Sequence, residues 1–282
     1  MYSTQLEIFK KIEGIGSASG IFSDCGQLYI VGDNSAFLNK YNLSTAVLKK
    51  IQILLDEQLT QKENIPKPLK PDFEVLCHHE GNLYILGSGS TALRSKLIEY
   101  NLINGNVNQK SMSKTYAQMK LISGINNDNF NIEGAVFTGE NWLLFNRGNG
   151  DKAKNGIFTL AGINLVEAAE IKFNTLQLPN IDHVESSFTD ATIIGNEIFF
   201  ISTAEDTQST YHDGEILGSF IGSIDPKTLK LNFSYKIPGQ HKFEGITVYK
   251  QATNKIEFLL CEDRDTDELN TTIYKLSLAL YY

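Results

Sequence analysis

The chain has 282 residues, of which 41 % are hydrophobic and 21 % are charged. This composition is that of an ordinary globular protein and excludes a disordered chain or a fibre. The 33 acidic residues outnumber the 25 lysines and arginines, and the formal net charge of −8 repels the phosphate backbone of nucleic acids, so we expect no nucleic-acid partner.

Three features of the sequence bear on the cellular compartment of the protein. Residues 1–11 lack the apolar core of a secretory signal, and no segment approaches the roughly 18 apolar residues of a membrane span. Cys25, Cys77 and Cys261 lie in or beside strand-like runs, without metal-ligand or disulfide spacing. We therefore expect a soluble protein of the cytoplasm that has no membrane partner.

Five stretches of the chain share one pattern: a short strand that opens with a small or acidic residue, a tight turn, and a second apolar strand. In chain order the first strands fall at 19–22, 73–76, 132–136, 190–194 and 243–248. The residue after the small or acidic position is 20, 75, 134, 191 and 245, so the steps are 55, 59, 57 and 54. Such a regular period indicates a repeat architecture.

Each unit continues into a third strand and usually a fourth, separated by Asn-Gly and Asp-Pro turns, which is the pattern of an antiparallel meander. Four strands per unit predict a propeller blade, and five units predict a five-bladed β-propeller in one domain, 1–282. The predicted blades cover approximately 17–53, 72–112, 131–178, 188–238 and 242–280.

The fifth unit ends after three strands, whereas the alternating segment 6–12 has no unit of its own. We predict that a strand near 5–12 completes the last blade, which removes an exposed sheet edge. The segment 115–122 is predicted to form a short helix. WD40 blades are disfavoured because their period is about 40–45 and Trp142 precedes leucine rather than aspartate. A β-sandwich remains the alternative fold.

In a propeller, the start of each first strand and the end of each second strand open on the same face, which we call the channel mouth. The strand-start positions hold Ser19, Glu74, Glu133, Asp190 and Glu244, so four of the five blades place a carboxyl group there. Carboxyl groups so close together must hold protons, pair with arginines or bind a cation.

We predict a metal site at Glu74, Glu133, Asp190 and Glu244, because oxygen ligands without thiolates favour Ca²⁺, or less so Mg²⁺, over Zn²⁺. The alternative is structural: an acid at a strand start can accept hydrogen bonds from backbone N–H groups of the neighbouring blade.

The ends of the second strands supply the predicted substrate-binding and catalytic residues. Arginines there can hold an anion, and the Gly-Ser-Gly-Ser segment 87–90 can offer backbone N–H groups to it. The predicted substrate-binding residues are Arg94, Arg147, Arg264, Ser88, Ser90 and Asn149. Glu205 or Asp263 is the predicted general base.

The Phe-Glu-Val-Leu, Ile-Glu-Gly-Ala and Phe-Glu-Gly-Ile-Thr strands, with Asn146-Arg-Gly-Asn and the Gly-Ser-Gly-Ser segment, resemble an uncharacterised family of bacterial propellers common in Bacteroidetes. More distantly, the chain is similar to phytase-like esterase and gluconolactonase-type propellers, whose channels bind Ca²⁺ or related ions through acidic side chains. The resemblance implies channel roles for Glu133 and Glu244 first and Glu74 next. The chain departs from the enzymes at Ser19, which replaces an acid.

Two hypotheses about function follow. The first is a metal-assisted hydrolase acting on a small anionic ester, phosphoester or lactone. The second is a non-catalytic propeller that binds a sugar, a small ligand or a protein at the same mouth. A scaffold that uses the outer blade edges is a third possibility.

Overall fold

The computed structural model describes residues 2–56, 59–148, 154–207, 214–263 and 266–280. These residues form five antiparallel four-stranded sheets and one two-stranded hairpin. Within each of the first four large sheets the strands are paired in chain order, as in a meander.

The strands fall into four groups by their place in the blade. The inner strands are β2 (Ala18–Asp24), β6 (Phe73–His79), β10 (Ile132–Phe137), β16 (Ser187–Ile194) and β20 (Phe243–Ala252). The second strands are β3 (Gln27–Gly32), β7 (Asn82–Gly87), β11 (Asn141–Asn146), β17 (Glu197–Asp206) and β21 (Lys255–Glu262). The third strands are β4 (Phe37–Asn42), β8 (Lys96–Asn101), β12 (Gly156–Ala161), β18 (Glu215–Ile224) and β22 (Asn270–Leu280). The outer strands are β5 (Leu48–Gln52), β9 (Val107–Ser111), β13 (Ile171–Thr175), β19 (Leu231–Lys236) and β1 (Tyr2–Glu13).

The last blade is closed by the first strand of the chain, as predicted. Its strand order is β1-β22-β21-β20, and β1 pairs antiparallel with β22 from Tyr2 opposite Leu280 to Glu13 opposite Asn270. Ile12, near the end of β1, is buried in the core between blades five and one. The closing strand thus joins the two ends of the repeat through both hydrogen bonds and apolar packing.

The five inner strands form a closed ring, because each of them contacts the inner strands of both neighbouring blades. Apolar side chains fill the space between the sheets. Phe188, for example, packs edge-to-face between Phe145 and Phe200, with ring centroids 5.1 and 5.2 Å away. The structure is therefore a five-bladed β-propeller, as predicted from the period, and the β-sandwich alternative was wrong.

Every inner strand carries a β-bulge near its start. The bulges show which residues of the five blades occupy equivalent positions. In each strand one residue is skipped between two residues paired with the second strand. The skipped residues are Ser19, Glu74, Glu133, Thr189 and Glu244. The predicted equivalence of Asp190 with the glutamates was therefore wrong by one residue. The next positions are 20, 75, 134, 190 and 245, and the corrected steps are 55, 59, 56 and 55.

Helix α1 (Ser113–Ser123) lies between blades two and three, and it confirms the predicted helix at 115–122. It ends at Gly124, which adopts a left-handed conformation and donates its N–H to the carbonyl of Lys120. A 3-10 turn at Asn127–Asn129 follows, and a short hairpin of β14 (Asn180–Ile181) and β15 (Val184–Glu185) precedes blade four. No helix in the described ranges is long and apolar enough to span a membrane.

Candidate functional site at the channel mouth

The bulges bring three glutamates together at the start of the inner strands. Glu74, Glu133 and Glu244, from blades two, three and five, are all more than nine-tenths buried. Blades one and four carry hydroxyl groups at the same position, and these groups link blades. Ser19 donates to the carbonyl of Phe73 at 2.5 Å, and Thr189 donates to that of Phe243 at 2.7 Å.

Arg147 is the cation that joins the glutamates of different blades. Its Nη1 lies 3.2 Å from Glu133 Oε1 and 3.8 Å from Glu244 Oε1, and its Nη2 donates to Glu205 Oε2 at 2.6 Å. The surrounding carboxylates raise the pKa of Arg147 against the opposing effect of burial, so the guanidinium stays charged. Its Nε is buried and has no hydrogen-bond partner among the described residues, which leaves one donor unused.

Glu133 lies beside Arg147 and is bonded to a second side chain as well. It accepts a hydrogen bond from the side-chain amide of Asn131 at 2.5 Å in addition to that from Arg147. Burial raises its pKa, Arg147 lowers it and Glu244 raises it again, with the result that the pKa is about 7. Glu133 therefore exchanges its proton near neutral pH.

A second basic side chain, Lys242, lies beside Glu244. Its Nζ is 3.1 Å from Glu244 Oε1 and 4.0 Å from Asp263 Oδ2. The predicted general bases are thus both close to cations. Glu205 is held by Arg147 and by the backbone N–H of Gly214 at 2.8 Å, and Asp263 lies near Lys242.

Between blades one and two, the mouth contains a group of three acids and two bases. Lys70 contacts both Asp33 and Asp72, the latter at 2.7 Å. Arg94 Nη1 donates to Asp72 Oδ2 at 2.9 Å. These cations lower the pKa of Asp72 against the effect of burial, whereas burial raises the pKa of Asp33.

Glu74 is the third carboxyl group of this cluster. One carboxylate oxygen each from Asp33, Asp72 and Glu74 lies within 4.8 Å of the other two. Glu74 accepts no hydrogen bond from any described residue. Its pKa is raised well above the ordinary value, first by burial and then by Glu133, Asp72 and Asp33. The protonated form of Glu74 is therefore favoured over that of an exposed glutamate.

Asp190, one of the four predicted metal ligands, lies at a different layer. Its Oδ1 accepts the N–H of Ala191 at 2.7 Å, and its Oδ2 accepts that of Ile246 in blade five at 2.8 Å. Both partners are backbone N–H groups, as expected if this acid holds neighbouring blades together and does not bind a metal ion. The geometry thus brings together Glu74, Glu133 and Glu244 but separates Asp190 from them.

The predicted Gly-Ser-Gly-Ser segment is held by internal hydrogen bonds. The N–H of Ser88 donates to the carbonyl of Asp72, the N–H of Gly89 to that of Arg94, and the hydroxyl of Ser88 to Asp72 Oδ2 at 2.5 Å. The backbone amides of Ser88 and Gly89 are thus bonded within the protein. Ser90 accepts a hydrogen bond from Arg94 at 3.1 Å.

Gly89 has a positive φ of 78°, and a Cβ there would come within 2.5 Å of Tyr116. Packing of α1 therefore explains the glycine. Two other predicted substrate-binding residues, Arg264 and Asn149, lie outside the described residues.

Sequence reasoning missed the roles of Lys70, Asp72, Asn131 and Lys242. Three of them share one repeat position, two residues before the bulge, where the five blades have Ser17, Asp72, Asn131, Ser187 and Lys242. All five residues are polar, so a correct alignment would have identified the position. Lys70 has no such signal, because it lies in the irregular segment before β6.

Counted over the part of the chain that the structure describes, the mouth holds more carboxyl groups than cations. Among the described residues, the acids are Asp33, Asp72, Glu74, Glu133, Glu205, Glu244 and Asp263, and the bases are Lys70, Arg94, Arg147 and Lys242. This excess of negative charge is one reason why the pKa values of Glu74 and Glu133 are raised.

Comparison with solved structures supports the propeller fold. The glutaminyl cyclase of Myxococcus xanthus has a TM-score of 0.56 and 10 % sequence identity, with 98 % of this chain and 97 % of that chain covered. The major allergen Mala s 1 of Malassezia sympodialis has a TM-score of 0.58 and 11 % identity, with 96 % of both chains covered. At these identities the likeness shows the fold alone.

Regucalcin of Agrobacterium tumefaciens, a calcium-binding protein, has a TM-score of 0.47 and 7 % identity, with 98 % of this chain and 96 % of that chain covered. This score is too low to support an argument about the site. No curated protein sequence matches this chain. The expected resemblance to an uncharacterised propeller family is confirmed by a family model that matches residues 14–278, and the chain belongs to that family of unknown function, DUF6929.

Proposed function

We propose that the protein is a hydrolase that binds a divalent cation at the channel mouth and acts on a small anionic ester, phosphoester or lactone. The observation that carries this proposal is the excess of buried carboxyl groups over cations in the mouth. Without a further cation the mouth repels an anion, whereas a bound divalent ion would offset most of that excess.

The group Asp33, Asp72 and Glu74 supports a cation site by its chemistry. All donors are oxygens, which favours Ca²⁺, with Mg²⁺ second because it demands a stricter octahedral geometry. Glu74 is free of hydrogen bonds from the described residues, and Asp33 Oδ1 is buried without a partner among them. Lys70 already contacts two of these acids, so the ion would displace its ammonium group.

The remaining mouth residues have roles that follow from their charges. A bound divalent ion supplies a Lewis acid that polarises a carbonyl or phosphoryl oxygen. Glu133, with a pKa of about 7, is matched to general acid–base catalysis at neutral pH, and we assign it this role in place of Glu205 or Asp263. Arg147, which lies beside Glu133, would supply the positive charge that orients an anionic substrate.

The cation site is tested by melting the protein in EDTA and in Ca²⁺, Mg²⁺ or Mn²⁺. We expect Ca²⁺ to raise the Tm of the wild type and of Glu170→Gln, a control on the exposed surface of blade three. Glu74→Gln should lose most of that increase, because an amide is a weaker ligand than a carboxylate. Equal shifts in Glu74→Gln and the wild type would place the ion elsewhere.

Turnover is tested with aryl phosphates, aryl esters and aldonolactones in the ion that gives the largest shift. A general-base role for Glu133 predicts a rate that rises with pH through about 7, since the base must lose its proton. Glu133→Gln should abolish this rise together with the activity, while Glu170→Gln retains both. Full activity in Glu133→Gln would rule out the assigned role.

A non-catalytic binding protein is the second candidate. It is favoured by the ion pairs themselves, because Arg147 and Lys242 already lie against carboxylates and need no substrate for neutralisation. Thermal shifts with sugars or small metabolites, without turnover of any test substrate, would favour this candidate over the hydrolase.

A further inference from the structure

A second concave site lies at the other end of the same channel. A cavity of about 250 Å³ is lined by three successive residues from each of the five inner strands. These residues are 21–23, 76–78, 135–137, 191–193 and 246–248. They lie two to four positions beyond the bulges, which at about 3.3 Å per residue places them roughly 7–13 Å along the channel from the mouth.

The layer between the mouth and this cavity is narrow. A Cβ on Gly20 would come within 2.8 Å of the Cβ of Leu76, and one on Gly134 within 3.0 Å of the Ala191 nitrogen. Asp190 lies in the same layer and is bonded to backbone N–H groups of blades four and five. The inner strands thus approach one another closely between the two ends, and we treat the cavity as separate from the charged mouth.

The cavity differs from the mouth in its chemistry. None of its lining residues is aspartate, glutamate, lysine or arginine. Leu76, Val136 and Val248 supply apolar surface, and Thr192 and Thr247 supply hydroxyl groups. This combination of apolar walls with a few hydrogen-bonding groups is typical of small-molecule sites.

One wall of the cavity already shows ring stacking. The imidazole of His78 stacks on Phe22, with centroids 4.9 Å apart and planes at 15°. His78 Nε2 accepts the N–H of Gly81 at 3.3 Å, as a neutral imidazole can. Burial lowers the pKa of His78, which keeps the ring uncharged at neutral pH. The wall therefore offers flat, uncharged rings from blades one and two.

We propose that this cavity binds an uncharged bicyclic ring compound that carries one hydrogen-bonding group. A dry apolar cavity of about 150 Å³ accommodates benzene, so the larger cavity here suits a compound of two fused rings. A charged compound is excluded because the lining offers it no counter-charge. The site is independent of the proposed hydrolase activity, since it shares no residue with the mouth.

The test uses indole as the probe and indole-3-acetate as its anionic analogue, with binding measured by ligand-observed NMR and calorimetry. We expect the wild type to bind indole at least about tenfold more tightly than indole-3-acetate. Thr192→Trp fills the cavity and should weaken indole binding by about tenfold or more. Thr45→Trp, the same change on an exposed turn of blade one, should leave binding unchanged.

Two further measurements keep the result independent of the folding of one variant. Glu74→Gln should bind indole like the wild type, which separates this cavity from the mouth. Intermolecular NOEs are expected between indole protons and the methyl groups of Val136 and Val248. Absence of indole binding at its solubility limit, equal affinity for both probes, or unchanged affinity in folded Thr192→Trp would overturn the proposal.

Discussion

At the scale of single residues, the mouth is governed by burial of charge. Glu74, Glu133, Glu244 and Arg147 are each more than nine-tenths buried, so water does little to screen them. Each carboxyl group must pair with a cation or keep its proton. Arg147 pairs with Glu133, Glu205 and Glu244, and the raised pKa of Glu74 favours its protonated form.

We predict that Arg147→Met destabilises the fold by about 3–5 kcal/mol, because it leaves buried carboxylates without their partner. Chemical denaturation at pH 7 measures the change. The control is Lys172→Met, which removes an exposed ion pair with Glu170 and should change stability by no more than about 0.5 kcal/mol. Similar values for the two variants would show that Arg147 contributes no more than a surface pair.

Glu74→Gln gives a prediction about pH. The folded-state pKa of Glu74 is raised above the unfolded value, so the folded protein binds more protons at pH values between the two. The free energy of unfolding therefore falls as pH rises through that window. Glu74→Gln should remove this fall, and its stability relative to the wild type should increase as the pH rises above the ordinary glutamate pKa.

Denaturation curves at several pH values test this, with Glu170→Gln as a control that makes the same chemical change on the surface. A relative stability of Glu74→Gln that does not change with pH would mean that Glu74 titrates in the folded protein as it does in the unfolded chain.

At the scale of elements, the bulges and the closing strand decide where side chains lie. A bulge leaves one residue unpaired, and here that residue is a glutamate in three blades and a hydroxyl residue in two. The closing strand β1 is the outer strand of blade five, but its Ile12 lies in the core between blades five and one. The bulge residues and Ile12 therefore bring together blades that are distant along the chain.

Two isoleucines on β1 test how much the closing strand contributes. Ile12 is 2 % exposed and Ile8 is 57 % exposed. We expect Ile12→Ala to cost about 2–5 kcal/mol, the range for a buried aliphatic side chain. Ile8→Ala, the same substitution on the same strand, should stay within about 0.5 kcal/mol of the wild type. Equal losses in denaturation experiments would contradict the burial of Ile12.

At the scale of the whole molecule, the closed ring couples every blade to two neighbours. Each inner strand contacts the inner strands on both sides, and apolar cores lie between the sheets. A blade cannot unfold alone without exposing the core faces of both neighbours. We therefore expect the ring to unfold as one cooperative unit.

The single tryptophan, Trp142, tests this cooperativity because it is buried in blade three, far along the chain from β1. Ile12→Ala in blade five should shift the unfolding midpoint measured by Trp142 fluorescence as much as that measured by far-UV circular dichroism. A fluorescence midpoint that stays at the wild-type value while the dichroism midpoint falls would show that the blades unfold separately.

The sequence by itself determined the number of blades and the closing strand. A repeat of 54 to 59 residues, each with four strands and turn residues between them, leaves few other ways to bury the apolar faces. It also predicted that Glu74, Glu133, Glu244 and Arg147 lie at one mouth, because equivalent positions of a repeat face the same way.

Only the tertiary structure decided which of these groups are partners. Asp190 follows its bulge instead of occupying it, and one residue along a strand changes the direction of a side chain. Lys70 reaches Asp33 and Asp72 from an irregular segment that has no repeat pattern. Ion pairs between blades depend on the distances between side chains across the channel axis. The spacing of residues along the chain does not predict those distances.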